Sequence, residues 1–388
     1  MMRPRAFRAA GLAAAMLALP ALTGLSAARA ADLDLPRQLV WTAYGTSSSG
    51  YGQAVAIGAA MQEAAGVNLR VLPGKNDIAR MEPVRQGKAP FSAMGVGIYM
   101  LQEGVFEFAS TRWGPQSVRL LVMNNSQDTG LAVGVAADAG IETYEDLKGK
   151  RVAWVKGAPA LNVAMEAYLA YAGLGWDDVE TVEFGGYGDS WKGMVNGDVD
   201  AAYAIMTSGN AFQMEASSRG LHWPQVDPEN TAGIERLQSV APYFTPFTST
   251  KGAVAGTTEG GIPSAGYPYP IMISYADTDA DLVYNQTKAM HELYDSYKGK
   301  APGIDGWALK YQNFEWVVPF HEGAIRYYKE VGAWSDEAQA HNDALIERQK
   351  VLQDAWAALE AEAPEAWEDA WADRRREALE AAGLSVVF

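Results

Sequence analysis

From residue 38 onward, short apolar runs of strand character alternate with helix-forming stretches, and Gly, Pro, Ser and Asn stand at the joints. The run 38–44 leads into the polar turn Gly45-Thr46-Ser47-Ser48-Ser49-Gly50 and a helical stretch over 53–65, with Val55, Ala59 and Met61 at apolar positions. A second strand, 68–72, turns at Pro73-Gly74 into a helix that Asn76 or Asp77 can cap and that runs toward Gln86. Strands follow at 91–94 and 118–123, with a helix over 96–102 between them. A repeated strand–turn–helix unit commits the chain to the α/β class with a largely parallel sheet.

The rhythm breaks at the polar stretch 124–130 and starts again. The second series holds a strand at 131–135, a capping box at Thr143-x-x-Asp146, a strand at 151–155 ending in Lys156-Gly157, and a helix over 162–171 closed by Gly173. Strands at 181–184 and 201–205 follow, and the Gly-rich stretch 251–266 reads as irregular. A return unit pairs a strand at 271–275 with a helix over 280–297, whose Leu282, Val283, Thr287, Met290 and Leu293 share a side. Two lobes are therefore expected: lobe one from 31–130 and 267–334, lobe two from 131–266, with the chain crossing between them more than once.

The tail is different. From Ser335 it is almost all helix formers, with Leu345, Leu352 and Leu359 seven apart, Trp356 nearby, and Pro364 to break the helix. A second helix is expected over 365–382, ending at Gly383. The tail, 335–388, reads as a helical hairpin on the protein's own lobes, which predicts a monomer; a dimerising coiled coil is the alternative.

The start carries an export signal. Arg3, Arg5 and Arg8 precede an apolar run over 9–22 and the small-residue pattern Ala28-Arg29-Ala30. That run is shorter than the ~20 residues a membrane-spanning helix needs, so cleavage after Ala30 and release into the periplasm are expected. The chain has 31 Lys and Arg against 47 Asp and Glu, and the leader takes four arginines with it, leaving a net charge of −20. Such a balance argues against nucleic acid and against an anionic membrane surface as partners. There is no Cys, and the four His (His222, His291, His321, His341) show no metal-ligand spacing. Neither metal nor cofactor is expected. Ser48 does not sit in a G-x-S-x-G turn, no nucleotide-binding G-x-x-x-x-G-K-[ST] occurs, and no carboxylate pair stands out, so nothing marks an enzyme.

In an open α/β sheet, ligands lie beyond the carboxyl ends of the strands. The loops there offer Ser47 and Ser48 at a helix start, where hydroxyls and free amides either hold a carboxylate or simply cap the helix. Tyr51 follows, as a donor or a wall. Lys75 and Asn76 come after the second strand. Asn162 lies in the equivalent loop of lobe two, either on ligand or on nearby backbone. Tyr187, Trp191, Thr207 and Asn210 come after later strands and offer flat walls and polar groups. With no arginine in these loops, neutral donors, aided by Lys75, are expected to hold a small carboxylate at Ser47–Ser48 with Tyr51 beside it.

Four stretches stand out together and in order: the first Gly/Ser loop with Tyr51, Asp146-Leu147-Lys148-Gly149-Lys150-Arg151-Val152, the turn Gly197-Asp198-Val199-Asp200-Ala201, and Pro319-Phe320-His321-Glu322-Gly323-Ala324-Ile325-Arg326-Tyr327-Tyr328-Lys329-Glu330. They resemble the TAXI type of solute-binding protein from TRAP transporters. The resemblance covers about 38–332. It implies a two-lobed periplasmic binding protein fold of the type II kind, a small organic acid or amino acid, glutamate and related carboxylates among them, as ligand, and a TRAP membrane permease as partner. A membrane sensor as partner, or an enzyme on the same fold, are the alternatives. Two departures fall where ligand is expected: Leu72-Pro73-Gly74-Lys75 replaces a TGGS turn, and Lys156-Gly157-Ala158-Pro159-Ala160 replaces a G-S-G-T turn.

Overall fold

The computed structural model describes residues 33–388; the expected leader and its cleavage point lie outside the described residues. The first sheet takes β1 (Gln38–Ala43), β2 (Asn68–Pro73), β3 (Phe91–Met94) and β4 (Val118–Met123), and its connecting helices are α1 (Ser49–Ala65), α2 (Asp77–Arg85) and α3 (Gly97–Glu103). The second takes β5 (Leu131–Ala136), β6 (Arg151–Val155), β7 (Glu180–Phe184), β8 (Ala201–Ile205), β9 (Leu221–His222), β10 (Thr245–Ser249) and β11 (Ile262–Gly266). Its helices are α4 (Pro159–Tyr171), α5 (Tyr187–Asn196), α6 (Gly209–Glu215) and α7 (Thr231–Val240). The chain then returns to the first sheet with β12 (Ile271–Tyr275) and adds α8 (Ala280–Glu292), α9 (Tyr294–Tyr297) and α10 (Glu322–Glu330).

Strand order is β2-β1-β3-β12-β4 in lobe one and β10-β11-β5-β8-β6-β7 in lobe two, with β9 also paired to β5. The sheets are mixed rather than largely parallel. β1 runs parallel to β2 and β3, and β6 to β7 and β8. β12 is antiparallel to β3 and β4, and β5 to β8, because each enters its sheet from the other lobe and so arrives from the opposite end. The stretch expected to be irregular contains β11, which forms an antiparallel hairpin with β10. The expected helix 280–297 is two helices with a break at Leu293.

β3, β4 and β5 are nearly or wholly buried along their length, as befits strands covered on both faces. The segments between the sheets are tied together: Tyr269 N donates to Asn124 O (2.7 Å), and Asn124 N to Pro270 O (2.8 Å). The Asn124 side chain donates to Gln53 Oε1 (3.0 Å) and Gly303 O (2.7 Å), anchoring the crossing to α1.

The tail forms α11 (Asp336–Glu362), capped by Ser335, and α12 (Trp367–Ala381), on either side of Pro364. It packs on lobe one. Trp371 Nε1 donates to Gly104 O (2.6 Å) and Trp367 Nε1 to Ala109 O (3.0 Å). The Trp356 ring lies edge-on to both Trp367 and Trp371, at 4.9 and 4.8 Å between centroids. Gly114 has φ +66°, and a Cβ there would stand 2.5 Å from the Trp356 ring, so only glycine lets this indole seat. Leu352 and Leu359 are buried beneath it and Leu345 is half-buried.

Candidate functional site

The strand ends of the two sheets face each other across a cavity. Lobe one supplies Tyr44, at the end of β1, and Ser48, Lys75, Asn76, Asp77 and Arg80 around the starts of α1 and α2. Lobe two supplies Ala160, Leu161, Tyr187, Tyr203, Ala204 and Ile205, and the returning crossing supplies Tyr267 and Tyr269.

The lobes touch directly. Asn76 caps α2 through Oδ1 (Ala79 N, 2.8 Å), while its Nδ2 reaches across to Lys156 O (2.9 Å). Ile78 N donates to Gly157 O (3.2 Å), Tyr187 N to Lys75 O (3.2 Å), and Gly209 N to Ser47 O (3.0 Å). The first turn of α4 has no side-chain cap from its own lobe; its N-cap residue is Ala158 and its first residue is Pro159. Asp77 of lobe one supplies what is missing, accepting from Ala160 N at 3.0 Å. A carboxylate at a helix start satisfies an otherwise orphaned amide and matches the helix dipole.

Arg80 is the buried cation of the site, 5% exposed. It lies one helical turn beyond the Asn76 cap, pairs with Asp77 Oδ1, and holds its guanidinium 4.1 Å from the Tyr44 ring centroid. Gly74 makes the room: a Cβ there would fall 2.6 Å from Arg80 Cγ and 2.9 Å from Arg80 N. Burial pushes the Asp77 carboxyl up, opposed by Arg80 and by the Ala160 amide. Burial also raises Tyr44, Tyr187, Tyr203 and Tyr267, and holds Tyr269 at about 12, so these phenols are neutral donors.

The residues expected from sequence are not all assembled here. Ser48 lines the cavity, caps α1 through Gly50 N (3.3 Å) and bonds the Tyr269 hydroxyl (3.1 Å). Lys75 and Asn76 line it, Lys75 at the exposed rim, and Tyr187 forms a wall with its hydroxyl on Ser208 Oγ (2.7 Å). Ser47 is outside the lining and meets lobe two through its carbonyl. Tyr51 lies in a different depression, with Val55, Gln62 and Leu69 on the far side of α1, because the helix begins at Ser49 and turns it away. The Ser47–Ser48–Tyr51 cradle is therefore not formed.

Asn162 bonds both Val155 N and Val155 O at 3.0 Å, so its amide is consumed by its own lobe. Trp191 is 1% exposed, donates to Tyr203 O (3.2 Å) and packs against Trp223 in the lobe-two core. Thr207 and Asn210 are buried and outside the lining. Lys156 is drawn to Glu183. Sequence reasoning missed Tyr44, Asp77, Arg80, Tyr203, Tyr267 and Tyr269. The expectation of a site without arginine fails because Arg80 reaches it from inside α2; its spacing of four from Asn76 was the available signal.

Two mixed sheets, a chain that crosses between them and returns, and a cavity at the facing strand ends define a two-lobed periplasmic binding protein fold, the fold of a solute-binding protein. Residues 42–332 match the NMT1-like family, and the chain belongs to it. No curated protein matches the sequence. Among solved structures, it is similar to an ancestral arginine-binding protein bound to arginine, at 15% identity and TM-score 0.42, over 68% of this chain and 100% of that one. It is also similar to a Brucella ovis periplasmic binding protein with glutathione bound, at 11% identity and TM-score 0.44, over 67% and 68%. A protein from Bordetella bronchiseptica RB50 aligns at 13% identity and TM-score 0.45, over 80% and 89%. Among the described residues no helix is long and apolar enough to cross a membrane, and no group of three or more His, Cys, Asp or Glu could hold a metal.

Proposed function

We propose that this protein captures a small anionic solute in the periplasm and delivers it to a membrane transporter. The observation that carries this reading is the cavity between the lobes, with buried Arg80 and rim Lys75 on its wall and cross-lobe hydrogen bonds around it. A solute touching both walls favours the closed arrangement by its differential affinity for it, and release follows when a partner favours the open one. Capture of this kind uses no catalytic group. The partner is a TRAP-type permease of the TAXI kind, a reading supported by the stretches 146–152, 197–201 and 319–330. Ser48, Lys75, Asn76 and Tyr187 are the expected sequence positions that this reading keeps at the ligand; Tyr44, Arg80, Tyr203, Tyr267 and Tyr269 join them.

The test is a thermal-shift screen of purified mature protein against small acids, amino acids, sugars and cations, followed by small-angle scattering with each hit. A saturable rise in melting temperature with a smaller radius of gyration is the expected result for an acid. No solute of any class producing both would refute the reading. Uptake of the hit by cells carrying the cognate permease, lost when the binding-protein gene is deleted, tests delivery.

A further inference from the structure

The cavity's polar groups are unevenly matched, and the mismatch describes the occupant. Asp77 is the only acid among the lining residues, and both its oxygens are taken, Oδ1 by Arg80 and Oδ2 by the Ala160 amide. Its charge is balanced by Arg80, so the lining residues hold no uncompensated carboxylate to pair with an ammonium group. Donors, by contrast, are in surplus. Arg80 Nε, the Tyr44 hydroxyl and the Tyr203 hydroxyl are buried and have no hydrogen-bond partner among the described residues. Tyr44 stands against Tyr269 and Tyr203 beside Tyr267, so each phenol has only a second phenol, itself a donor, within reach of its hydroxyl. Buried donors without acceptors are costly, so a site holding several is built around an acceptor that arrives with the ligand.

The rest of the wall is apolar: phenol faces with Leu131, Leu161, Ala204 and Ile205. Arg80 is already neutralised by Asp77, which leaves Lys75 at the rim as the unbalanced positive charge, enough for one carboxylate and not for two. The cavity measures ≈ 50 Å³. At ~10–15 Å³ per water this is space for roughly four waters, far from a drug-sized pocket.

We infer that the solute is a small monocarboxylate with a short apolar body and no amino group, its carboxylate received by Arg80 Nε and the Tyr44 and Tyr203 hydroxyls. The inference rests on the solute-capture reading and narrows it. Discrimination against the α-amino analogue is a consequence of Asp77 being spent on the lobe contact: a buried ammonium would face phenols, a guanidinium and apolar carbons, with no anion to pair with.

The test is calorimetry on the mature protein with matched four-carbon probes: butyrate, crotonate and 2-oxobutyrate against L-2-aminobutyrate, with L-glutamate, L-arginine and succinate as further arms. At least one amino-free monocarboxylate is expected to bind 30-fold or more tighter than L-2-aminobutyrate. Tyr203→Phe, which keeps the ring and removes one donor, is expected to weaken that acid about tenfold or more while the ligand-free protein melts no lower than wild type, because the donor it removes has no acceptor there. Equal or tighter binding of L-2-aminobutyrate, or binding and closure only with a dicarboxylate, an amino acid or a cation, overturns the inference and leaves solute capture standing. An unchanged affinity in Tyr203→Phe overturns the donor assignment. Failure of every class of solute to bind removes capture itself, and the inference with it.

Discussion

The tail's attachment to lobe one turns on Glu103, and its loss has a calculable effect. Glu103 is 0% exposed at the end of α3. Arg348 of α11 grips it with both prongs, Nε to Oε1 at 2.7 Å and Nη2 to Oε2 at 2.8 Å, and Arg375 of α12 adds a bond to Oε2. The two arginines also hold the chain end: Arg348 bonds Ser385 O (2.8 Å), and Arg375 bonds Val387 O (2.6 Å) and Phe388 O (3.3 Å). Glu103→Gln keeps the shape but replaces one acceptor oxygen with a donor facing a guanidinium. At ~1.5–3 kcal/mol per charge-assisted bond, the three bonds gross roughly 4–9 kcal/mol. The arginines keep their carbonyl partners and one amide acceptor survives, so the net loss is ~3–5 kcal/mol, the usual cost of removing one partner from a buried ion pair. At about 2 °C per kcal/mol for a large domain, the melting temperature should fall by roughly 5–10 °C. Circular dichroism in heat and in urea measures both quantities. The triple change Glu103→Leu, Arg348→Met, Arg375→Met should recover much of the loss, because apolar residues of similar volume remove the uncompensated charge. A Glu103→Gln protein within about 1 kcal/mol of wild type in urea would refute the reasoning.

Leu352, 0% exposed under the tail's tryptophans, should cost ~2–5 kcal/mol when truncated to Ala, and sedimentation should show wild type and variant alike as monomers. His291 is half-buried, stacked on Tyr327 and bonded to the Tyr328 hydroxyl, and burial takes its pKa from 6.5 down to about 3. The unfolded imidazole takes up a proton near pH 6.5 while the folded one does not, so stability is lost as pH falls from about 6.5 toward 3. The shift is worth ~1–2 kcal/mol at pH 5; the difference in urea stability between pH 7 and pH 5 should shrink by that amount in His291→Phe, and an unchanged difference would disprove the assignment. Asp77→Asn should weaken the charged cap on α4 by about 1 kcal/mol and leave buried Arg80 unpaired at a further ~3–5 kcal/mol, the first visible as a larger radius of gyration in the ligand-free protein; an unchanged radius would show that the contact does not hold the lobes.

The strands at 91–94, 118–123, 151–155, 201–205 and 271–275 could be read from sequence to the residue, because buried strands are short, β-branched or aromatic runs between turn formers. The tail hairpin was legible for a similar reason: heptad leucines and a proline break are local signals. Strand direction was not, since β5 and β12 run antiparallel only because of where the chain comes from. The site was the least legible part. Trp191 and Asn162 lie in the right loops by sequence, yet the first fills the lobe core and the second bonds its own backbone. Arg80 and Asp77 belong to a helix, and what places them in the cavity is the orientation of α2's first turn. Tyr267 and Tyr269 come from the returning crossing, whose position depends on contacts far apart in sequence.

The start of α4 depends on a residue from the other lobe, and this couples hinge motion to local order. When the lobes part, the Ala160 amide loses Asp77, and a helix that begins Ala158-Pro159-Ala160 has no side chain of its own to take that place. Its first turn then frays, and the amides there exchange with solvent at a rate set by the opening equilibrium rather than by unfolding. Deuterium uptake at the Ala160 amide therefore counts open molecules directly, whatever the solute turns out to be.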